Sequence, residues 1–185
     1  MAVEPNAEMR RHAMPLPGVT WVDGTFESLP LADGSQAWAI AAQALHWADP
    51  PRALPEVRRV LRPGARFTAF WNDRDMAGSA ILRETMRIIH DVVPGFDEAY
   101  RAKDWSTILQ STSDFADVHV MTHRHVIPMS RERYLTLWRS HNRLSAAAGP
   151  RFAELTKRLG EMLAERGVAT VEVPYICRAW SVRRA

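Results

Sequence analysis

WAIAAQALHWADPPRALPEVRRVLRPGARFTAFW, residues 38–71 of this chain, alternates between strand-like and helix-like patterns. Its first part, Trp38 to Leu45, is almost continuously apolar, which is typical of a strand that is covered on both faces in a parallel sheet. Apolar residues then recur at helical spacing from Ala53 to Leu61, and Arg62-Pro63-Gly64 ends this helix. Ala65 to Trp71 returns to strand character. A strand, a helix and a second strand in this order predict an α/β domain with a parallel sheet.

The sequence on both sides of residues 38–71 continues this alternation. On the N-terminal side, Asn6 is a suitable N-cap for a short helix through His12, and Val19–Val22 is β-prone. On the C-terminal side we expect three helices and two strands, with the last two helices forming a cap over the edge of the sheet. These elements are, in chain order, Ile81–Val92, Val118–Ile127, Arg131–Leu144, Phe152–Arg166 and Val168–Val182. The 185 residues predict a single domain, with an α/β part over residues 1–75 and a C-terminal part over residues 76–185.

Composition excludes several classes of protein. Hydrophobic residues make up 46% of the chain and charged residues 24%, as in ordinary globular domains, so the chain is not expected to be disordered. The net charge is +3, but arginines alternate with acids along the chain, so specific nucleic-acid binding is not expected. No apolar run approaches the roughly 20 residues of a membrane helix, and the N-terminus lacks a secretory signal pattern. We therefore expect a cytoplasmic protein that does not bind membranes.

The spacing of cysteine and histidine gives little support for a metal site. Cys177 is the only cysteine, which excludes a cysteine-based metal cluster and an intramolecular disulfide framework. His119, His123 and His125 have the same parity, so an unbroken strand would place them on one face. No carboxylate or thiolate at a suitable spacing completes a zinc site with them. We therefore expect no bound metal.

Open parallel sheets bind their ligands at the carboxyl ends of the strands. The polar residues expected at these ends, and the motifs around them, form five ordered segments: V-E-P-N-A-E-M-R at 3–10, G-T-F-E-S-L-P-L at 24–31, A-L-H-W-A-D at 44–49, E-V-R-R-V-L-R-P-G at 56–64 and W-N-D-R-D at 71–75. In this order they resemble class I S-adenosylmethionine-dependent methyltransferases of the methyltransferase type 11 group, near the trans-aconitate methyltransferases. The resemblance covers nearly the whole chain. It implies a Rossmann-like three-layer α/β sheet and the transfer of a methyl group to a small-molecule acceptor.

The resemblance assigns four residues to the cofactor, S-adenosylmethionine. Glu4 occupies the position of a carboxylate that accepts hydrogen bonds from both ribose hydroxyls; the alternative is a solvated glutamate. Thr25 and Phe26 fall where the family packs the adenine ring, although Phe26 equally suits a core position. Gln43 corresponds to a position beside the cofactor, or it simply caps the end of its strand.

The resemblance places the acceptor at the ends of the family's fourth and fifth strands. His46 is the candidate catalytic residue, because it lies where the family faces the transferring methyl group and would orient or deprotonate the acceptor. Trp47 would line the pocket wall, and Asn72 and Arg74 are candidates for binding an acidic acceptor. The alternatives are a histidine whose ring nitrogens bond backbone groups and an arginine that is a simple surface charge.

The most specific motif of the family, a first strand followed by a D-x-G-x-G-x-G turn, is absent from these 185 residues. That strand lies at the centre of the family's sheet, between the second and fourth strands, so its absence leaves two strand edges unpaired. Three explanations follow: a truncated methyltransferase, a non-catalytic methyltransferase-like protein that binds a small molecule or a partner, or an assembly in which another chain supplies the strand. We expect this chain alone to bind S-adenosylmethionine weakly or not at all and to self-associate through the unpaired edges.

Overall fold

The computed structural model describes residues 1–97 and 103–185. These residues form six strands, seven α-helices and three short 3-10 helices at Leu45–Trp47, Met76–Gly78 and Gly149–Arg151. The strands are β1 (Ala2–Val3), β2 (Trp21–Val22), β3 (Gln36–Ala42), β4 (Leu61–Arg74), β5 (Phe115–Ser130) and β6 (Thr170–Arg184). The α-helices are α1 (Ala7–His12), α2 (Pro50–Val60), α3 (Ala80–Val92), α4 (Trp105–Gln110), α5 (Arg131–Arg139), α6 (Asn142–Ala148) and α7 (Phe152–Glu165). None of the helices within the described ranges combines the length and apolar character that crossing a membrane requires.

The strands form two sheets. β1 and β2 pair in parallel, with Ala2 opposite Trp21 and Val3 opposite Val22. The other four strands form one sheet in the order β3-β4-β6-β5, in which β3 and β4 are parallel and connected by α2. The prediction of a Rossmann-like α/β fold is confirmed. Among the described strands β1 pairs only with β2 and β3 only with β4, so the sheet is interrupted between the β1-β2 pair and β3. The resemblance predicts that the first strand of the family lies at this place.

β3 differs from its prediction because only one of its faces is covered. Ala41 is 2% exposed and belongs to the core, whereas Trp38 and Ile40, on the opposite face, are 59% and 54% exposed. The Trp38 indole is nevertheless fixed, since its Nε1 donates a hydrogen bond to Thr68 Oγ1 on β4 at 3.0 Å. The prediction of a strand covered on both faces is wrong, because no described element buries Trp38 and Ile40.

The helix predicted over residues 131–144 is wrong as a single element: it is two helices, α5 and α6. His141 caps the second one, since its Nδ1 accepts a hydrogen bond from Leu144 N–H at 3.2 Å. A side chain that satisfies the first N–H groups of a new helix favours a break in the chain at that point. α4 has no counterpart among the predicted helices. Its N-cap, Asp104, accepts a hydrogen bond from Thr107 N–H at 3.0 Å.

The described residues group into two compact units, each with its own hydrophobic core. Unit 1 consists of Met1–Trp71, Lys103–Thr122 and Arg178–Ala185. Unit 2 consists of the described residues from Asn72 to Asp97 and of His123–Cys177. In unit 1 the apolar face of α2 packs with β3 and β4, and in unit 2 α7 packs against α3, α5 and α6. The domain boundaries predicted at residues 75 and 76, and the role of the last helices as a cap, stay predictions.

Candidate functional site

The predicted site residues lie at or just beyond the carboxyl ends of four strands. They are, in chain order, Glu4 after β1, Thr25 and Phe26 after β2, Gln43, His46 and Trp47 after β3, and Asn72 and Arg74 in the last residues of β4. β1 and β2 are parallel, and so are β3 and β4, so each pair directs its carboxyl ends to one edge. This is the edge at which open parallel sheets bind ligands.

Glu4 is part of a small hydrogen-bonded network after β1. Its Oε1 accepts a hydrogen bond from Asn6 N–H at 2.8 Å, and its backbone carbonyl accepts one from Arg10 Nη1 at 2.5 Å. The same Arg10 nitrogen contacts Asp23 Oδ1 at 2.9 Å, which connects the loop after β1 to the loop after β2. Oε2 of Glu4 accepts no hydrogen bond from the described residues, so the carboxylate retains an oxygen for a ligand hydroxyl.

Thr25 and Phe26 lie in a tight turn. Two backbone hydrogen bonds between Thr25 and Ser28, at 3.1 and 3.2 Å, close it. Phe26 is partly buried against the core of unit 1, so one face of its ring is committed to packing. Gly24, which precedes the turn, has no room for a side chain, because a Cβ there would lie 2.9 Å from Val3 Cγ1. Close packing of the turn on β1 therefore requires glycine at this position.

The E-V-R-R motif of α2 attaches the segment after this turn to the helix. Glu56 accepts hydrogen bonds from Leu29 N–H at 2.8 Å and from Arg59 at 2.7 and 2.8 Å. Arg59 also donates to the carbonyls of Leu29 and Leu31. The Arg59 guanidinium keeps the pKa of the Glu56 carboxyl below its ordinary value. Sequence reasoning missed this role, although the i, i+3 spacing of a glutamate and an arginine on one helix was an available signal.

Glu27 makes a second connection between the turn and α2. Its Oε1 accepts a hydrogen bond from Asp49 N–H, at the N-terminus of α2, at 2.9 Å. This bond, with a further one from the Thr25 side chain, lowers the pKa of Glu27. A carboxylate at a helix N-terminus is stabilised by the helix dipole and satisfies a backbone donor. The turn that carries Thr25 and the helix α2 are therefore connected through both glutamates.

Gln43 has an unusual backbone conformation. Its φ of +50° lies in the left-handed region, which costs about 1–2 kcal/mol for a residue other than glycine. Its N–H donates to Phe70 O at 2.8 Å, so the backbone pairing with β4 continues to this residue. Backbone strain of this kind concentrates at ligand-binding positions, which supports the assignment of Gln43 to the cofactor site.

His46 contacts the buried end of β4. Trp71 Nε1 donates a hydrogen bond to His46 Nδ1 at 3.3 Å, and Trp71, 1% exposed, stacks on Trp105 with 4.3 Å between ring centroids. Because Nδ1 accepts this bond, the neutral imidazole carries its proton on Nε2. Nε2 of His46, which is buried, is then a donor, which suits orienting an acceptor better than deprotonating one.

Trp47 lies beside His46 and is largely exposed. Its side chain is 72% exposed, and its ring centroid is 4.7 Å from that of His46. A large exposed aromatic side chain next to a histidine provides a surface against which a ligand can pack. The role of Trp47 in the pocket wall stays a prediction.

Asn72 and Arg74 belong to unit 2 and lie two residues apart on β4, which places them on one face of the strand. Both are partly buried, and Asn72 Oδ1 and Arg74 Nε are fully buried without a hydrogen-bond partner among the described residues. The Arg74 guanidinium lies over the ring of Trp138 in α5, 4.5 Å from the ring centroid. Arg74 is therefore more than a simple surface charge.

The histidines of β5 are explained by packing. His123 and His125 stack with 5.8 Å between ring centroids, which agrees with their predicted shared face, and His125 stacks in turn on Tyr175 of β6 at 5.6 Å. Within residues 1–97 and 103–185, no group of three or more histidine, cysteine, aspartate or glutamate residues is placed to bind a metal ion.

Several known proteins are similar to this chain. Residues 1–69 match the family model for a methyltransferase domain. The chain is 50% identical over 78 residues to an uncharacterized methyltransferase of Mycobacterium tuberculosis, a match that covers 40% of this chain and 31% of the relative. It is 33% identical over 170 residues to an uncharacterized 37.1 kDa protein in a transposon of Streptomyces fradiae, a match that covers 80% of this chain and 49% of the relative. The solved structure of a protein designated a type II methyltransferase, from Anaeromyxobacter dehalogenans, matches with a TM-score of 0.68 at 24% identity, covering 98% of this chain and 77% of that chain. Residues 1–69 are therefore similar to methyltransferase domains, and the chain shares the fold of a solved structure of that designation.

The chain spans about a third of the length of the M. tuberculosis relative and about half of the S. fradiae relative. Its match to the family model ends at residue 69, so Glu4, Gln43 and His46 lie inside the match and Arg74 lies outside it. The structural match, by contrast, covers 98% of the chain and therefore includes most of unit 2.

Proposed function

We propose that this protein transfers a methyl group from S-adenosylmethionine to a small-molecule acceptor. The observation that carries the proposal is the ordered placement of Glu4, the Thr25–Ser28 turn and His46 at the carboxyl ends of parallel strands. S-adenosylmethionine supplies a methyl group that is already activated by its sulfonium, so the protein mainly has to bind and align the reactants. Oε2 of Glu4 accepts a ribose hydroxyl, and Phe26 offers the exposed part of its ring to the adenine.

His46 acts in this proposal by orienting the acceptor. Trp71 occupies Nδ1, so Nε2–H donates a hydrogen bond to an atom of the acceptor and directs its nucleophilic atom toward the methyl group. Trp47 packs against the apolar part of the same molecule. The pair therefore controls alignment, the factor on which the rate of methyl transfer most depends.

The residues fit the ribose and adenine parts of the cofactor better than its methionine part. The amino-acid end of such a ligand is best bound by closely approaching backbone N–H groups, which need glycine, and the sequence has no glycine-rich turn. We propose that full binding requires a further strand and glycine-rich turn paired between β1 and β3, where the sheet is interrupted. Several hydrogen bonds lost at about 1–3 kcal/mol each would move a micromolar site to about millimolar affinity.

Titration calorimetry on two proteins tests the proposal. The first is the 185-residue chain, for which we expect weak or undetectable binding of S-adenosylmethionine. The second is a chimera in which the segment preceding the matched region of the M. tuberculosis relative is fused to Met1, and for it we expect micromolar binding. Low-micromolar binding by the unmodified chain would contradict the need for the extra strand. A folded chimera that does not bind would instead favour the non-catalytic alternative.

The role of Glu4 is tested in the same chimera. Glu4→Ala should weaken binding of S-adenosylmethionine by about tenfold to a hundredfold, because a hydrogen bond to a charged group contributes about 1.5–3 kcal/mol. Glu8→Ala is the matched control, since Glu8 is a nearby carboxylate that is 66% exposed and pairs with Arg11 at the surface. Equal affinities in the two variants would remove Glu4 from the site.

A further inference from the structure

One partly buried cation of unit 2 has no anionic partner. Arg74 forms no hydrogen bond or ion pair with any described residue, and its Nε is fully buried. Removing a guanidinium from water without a hydrogen-bond acceptor is costly. The contact with the Trp138 ring, at 4.5 Å from the centroid, is favourable but provides no acceptor for the guanidinium N–H groups.

The carboxylate of Asp75, which neighbours Arg74 in the chain, is paired with another arginine. Asp75, the next residue in the chain, accepts a hydrogen bond from Arg124 Nη1 at 2.7 Å. Arg158, another arginine of unit 2, pairs with Asp91 at 2.8 Å. Arg124 and Arg158 therefore each have a carboxylate from the protein, whereas Arg74 has none among the described residues.

Trp138 adds a second unused donor. Its side chain is 0% exposed, and its Nε1 has no hydrogen-bond acceptor among the described residues. A buried indole N–H usually has such a partner. The Trp138 ring is held in place by stacking on His141, with 6.0 Å between ring centroids and an interplanar angle of 10°. Asn72, two residues before Arg74 on β4, has a buried acceptor, Oδ1, that receives no hydrogen bond from the described residues.

We propose that Arg74, Trp138 and Asn72 form a site of unit 2 that binds a carboxylate-bearing small molecule. The planar guanidinium of Arg74 matches a carboxylate in geometry and charge, and the Trp138 indole provides a further donor. Asn72 Oδ1 accepts a hydrogen bond from a hydroxyl or amino group of the same molecule. A single cation fits one carboxylate group, which carries one negative charge, whereas a phosphate dianion places two charges on one group and requires a second positive charge. Arg74 remains partly exposed, which gives the ligand access.

NMR titration of the ¹⁵N-labelled full chain tests this site without any cofactor. The probe is succinate, and succinamide is its neutral control of similar shape. The Trp138 indole N–H signal, identified by its loss in Trp138→Phe, should move downfield with succinate and stay in place with succinamide. Arg74→Gln should weaken succinate binding at least tenfold. The succinate affinity of Arg74→Lys should lie between the affinities of Arg74→Gln and the native chain. Arg151→Gln, at an exposed arginine of unit 2, should leave succinate binding unchanged.

Three results would overturn the proposal: equal responses to succinate and succinamide, unchanged succinate binding in Arg74→Gln, or tighter binding of inorganic phosphate than of succinate. Backbone N–H spectra verify that each variant is folded. If Trp138→Phe does not fold, the comparison of succinate binding between the Arg74 and Arg151 variants still tests the proposal. The titration needs neither S-adenosylmethionine nor methyl transfer. Succinate binding at Arg74 combined with a chimera that binds no cofactor would therefore contradict the proposed function and leave the anion site standing.

Discussion

Replacing Glu56 with glutamine measures how firmly the chain after β2 is attached to α2. The native carboxylate accepts hydrogen bonds from Leu29 N–H and from two nitrogens of Arg59, at 2.7–2.8 Å. Glutamine has a similar shape and keeps one acceptor oxygen for Leu29, but it loses the charge-assisted bonds to Arg59. The Glu56 side chain is 18% exposed, so solvent screens these bonds only in part. We expect the free energy of unfolding to fall by about 2 kcal/mol, from the 1.5–3 kcal/mol typical of a hydrogen bond to a charged group.

Urea unfolding followed by circular dichroism provides the assay. The unfolding midpoint should fall in Glu56→Gln while the m-value stays unchanged, because the native state remains compact. Glu8→Gln is the control: Glu8 and Arg11 form a surface pair with side chains 66% and 64% exposed, and their loss should cost less than about 0.5 kcal/mol. The reasoning is refuted if the two variants lose the same stability.

The pH dependence gives an independent check. The hydrogen bonds from Arg59 lower the pKa of Glu56 in the folded protein below the ordinary value of 4.5. A carboxyl with a lowered folded-state pKa contributes stability above its unfolded pKa and loses it as the pH falls through the folded value. The stability difference between the native chain and Glu56→Gln should therefore be full near neutral pH and shrink below about pH 4. A difference that stays constant from pH 7 to pH 3 would contradict this assignment.

His46 should carry its ring proton on Nε2 when the ring is neutral, because Nδ1 accepts from Trp71; long-range ¹H–¹⁵N spectra report this tautomer, and a proton on Nδ1 would rule out the orienting role proposed here. The isolated chain should self-associate through β3, an edge strand whose Trp38 and Ile40 are 59% and 54% exposed. Replacing both residues with lysine should weaken association at least tenfold by light scattering. Replacing Trp47 with lysine should leave the association unchanged, because Trp47 is 72% exposed but lies outside the strand. An equal loss of association in the Trp47 variant and the double variant would mean that exposed apolar side chains in general, and not the edge of β3, cause it.

Much of the fold could be predicted because burial imposes a period on the sequence. The apolar positions of α2 recur at helical spacing, and Ala53, Leu54, Val57 and Val60 are all buried in unit 1. The cap of α1 was equally local: Asn6 Oδ1 accepts from the N–H groups two and three residues later, at 2.9 and 3.1 Å. Features of this kind depend on residues that are close in the chain, so a single sequence contains the information.

Features that depend on distant segments could not be predicted in the same way. The apolar run of β3 predicts burial on both faces, but whether the face of Trp38 is covered depends on which other segments reach it. The contact between Glu56 and Leu29 joins residues 27 positions apart, and the contact between Arg74 and Trp138 joins β4 to α5, two elements that are far apart in the chain. The motifs predicted candidate residues at the ends of strands, where the structure places them, but they did not predict the contacts of Glu27 and Glu56 that connect the chain after β2 to α2.

The short strands β1 and β2 depend on α2 for their position in unit 1. Each contributes two residues to a parallel pair, and a pair of this size has little stability of its own. Glu27 and Glu56 attach the chain after β2 to α2, and Gly24 allows that chain to pack on Val3 of β1. Glu4 therefore reaches the edge of the sheet through contacts made by residues that bind no ligand. A strand paired between β1 and β3 would attach this region on its other side, so supplying that strand should raise cofactor affinity and the stability of β1 together.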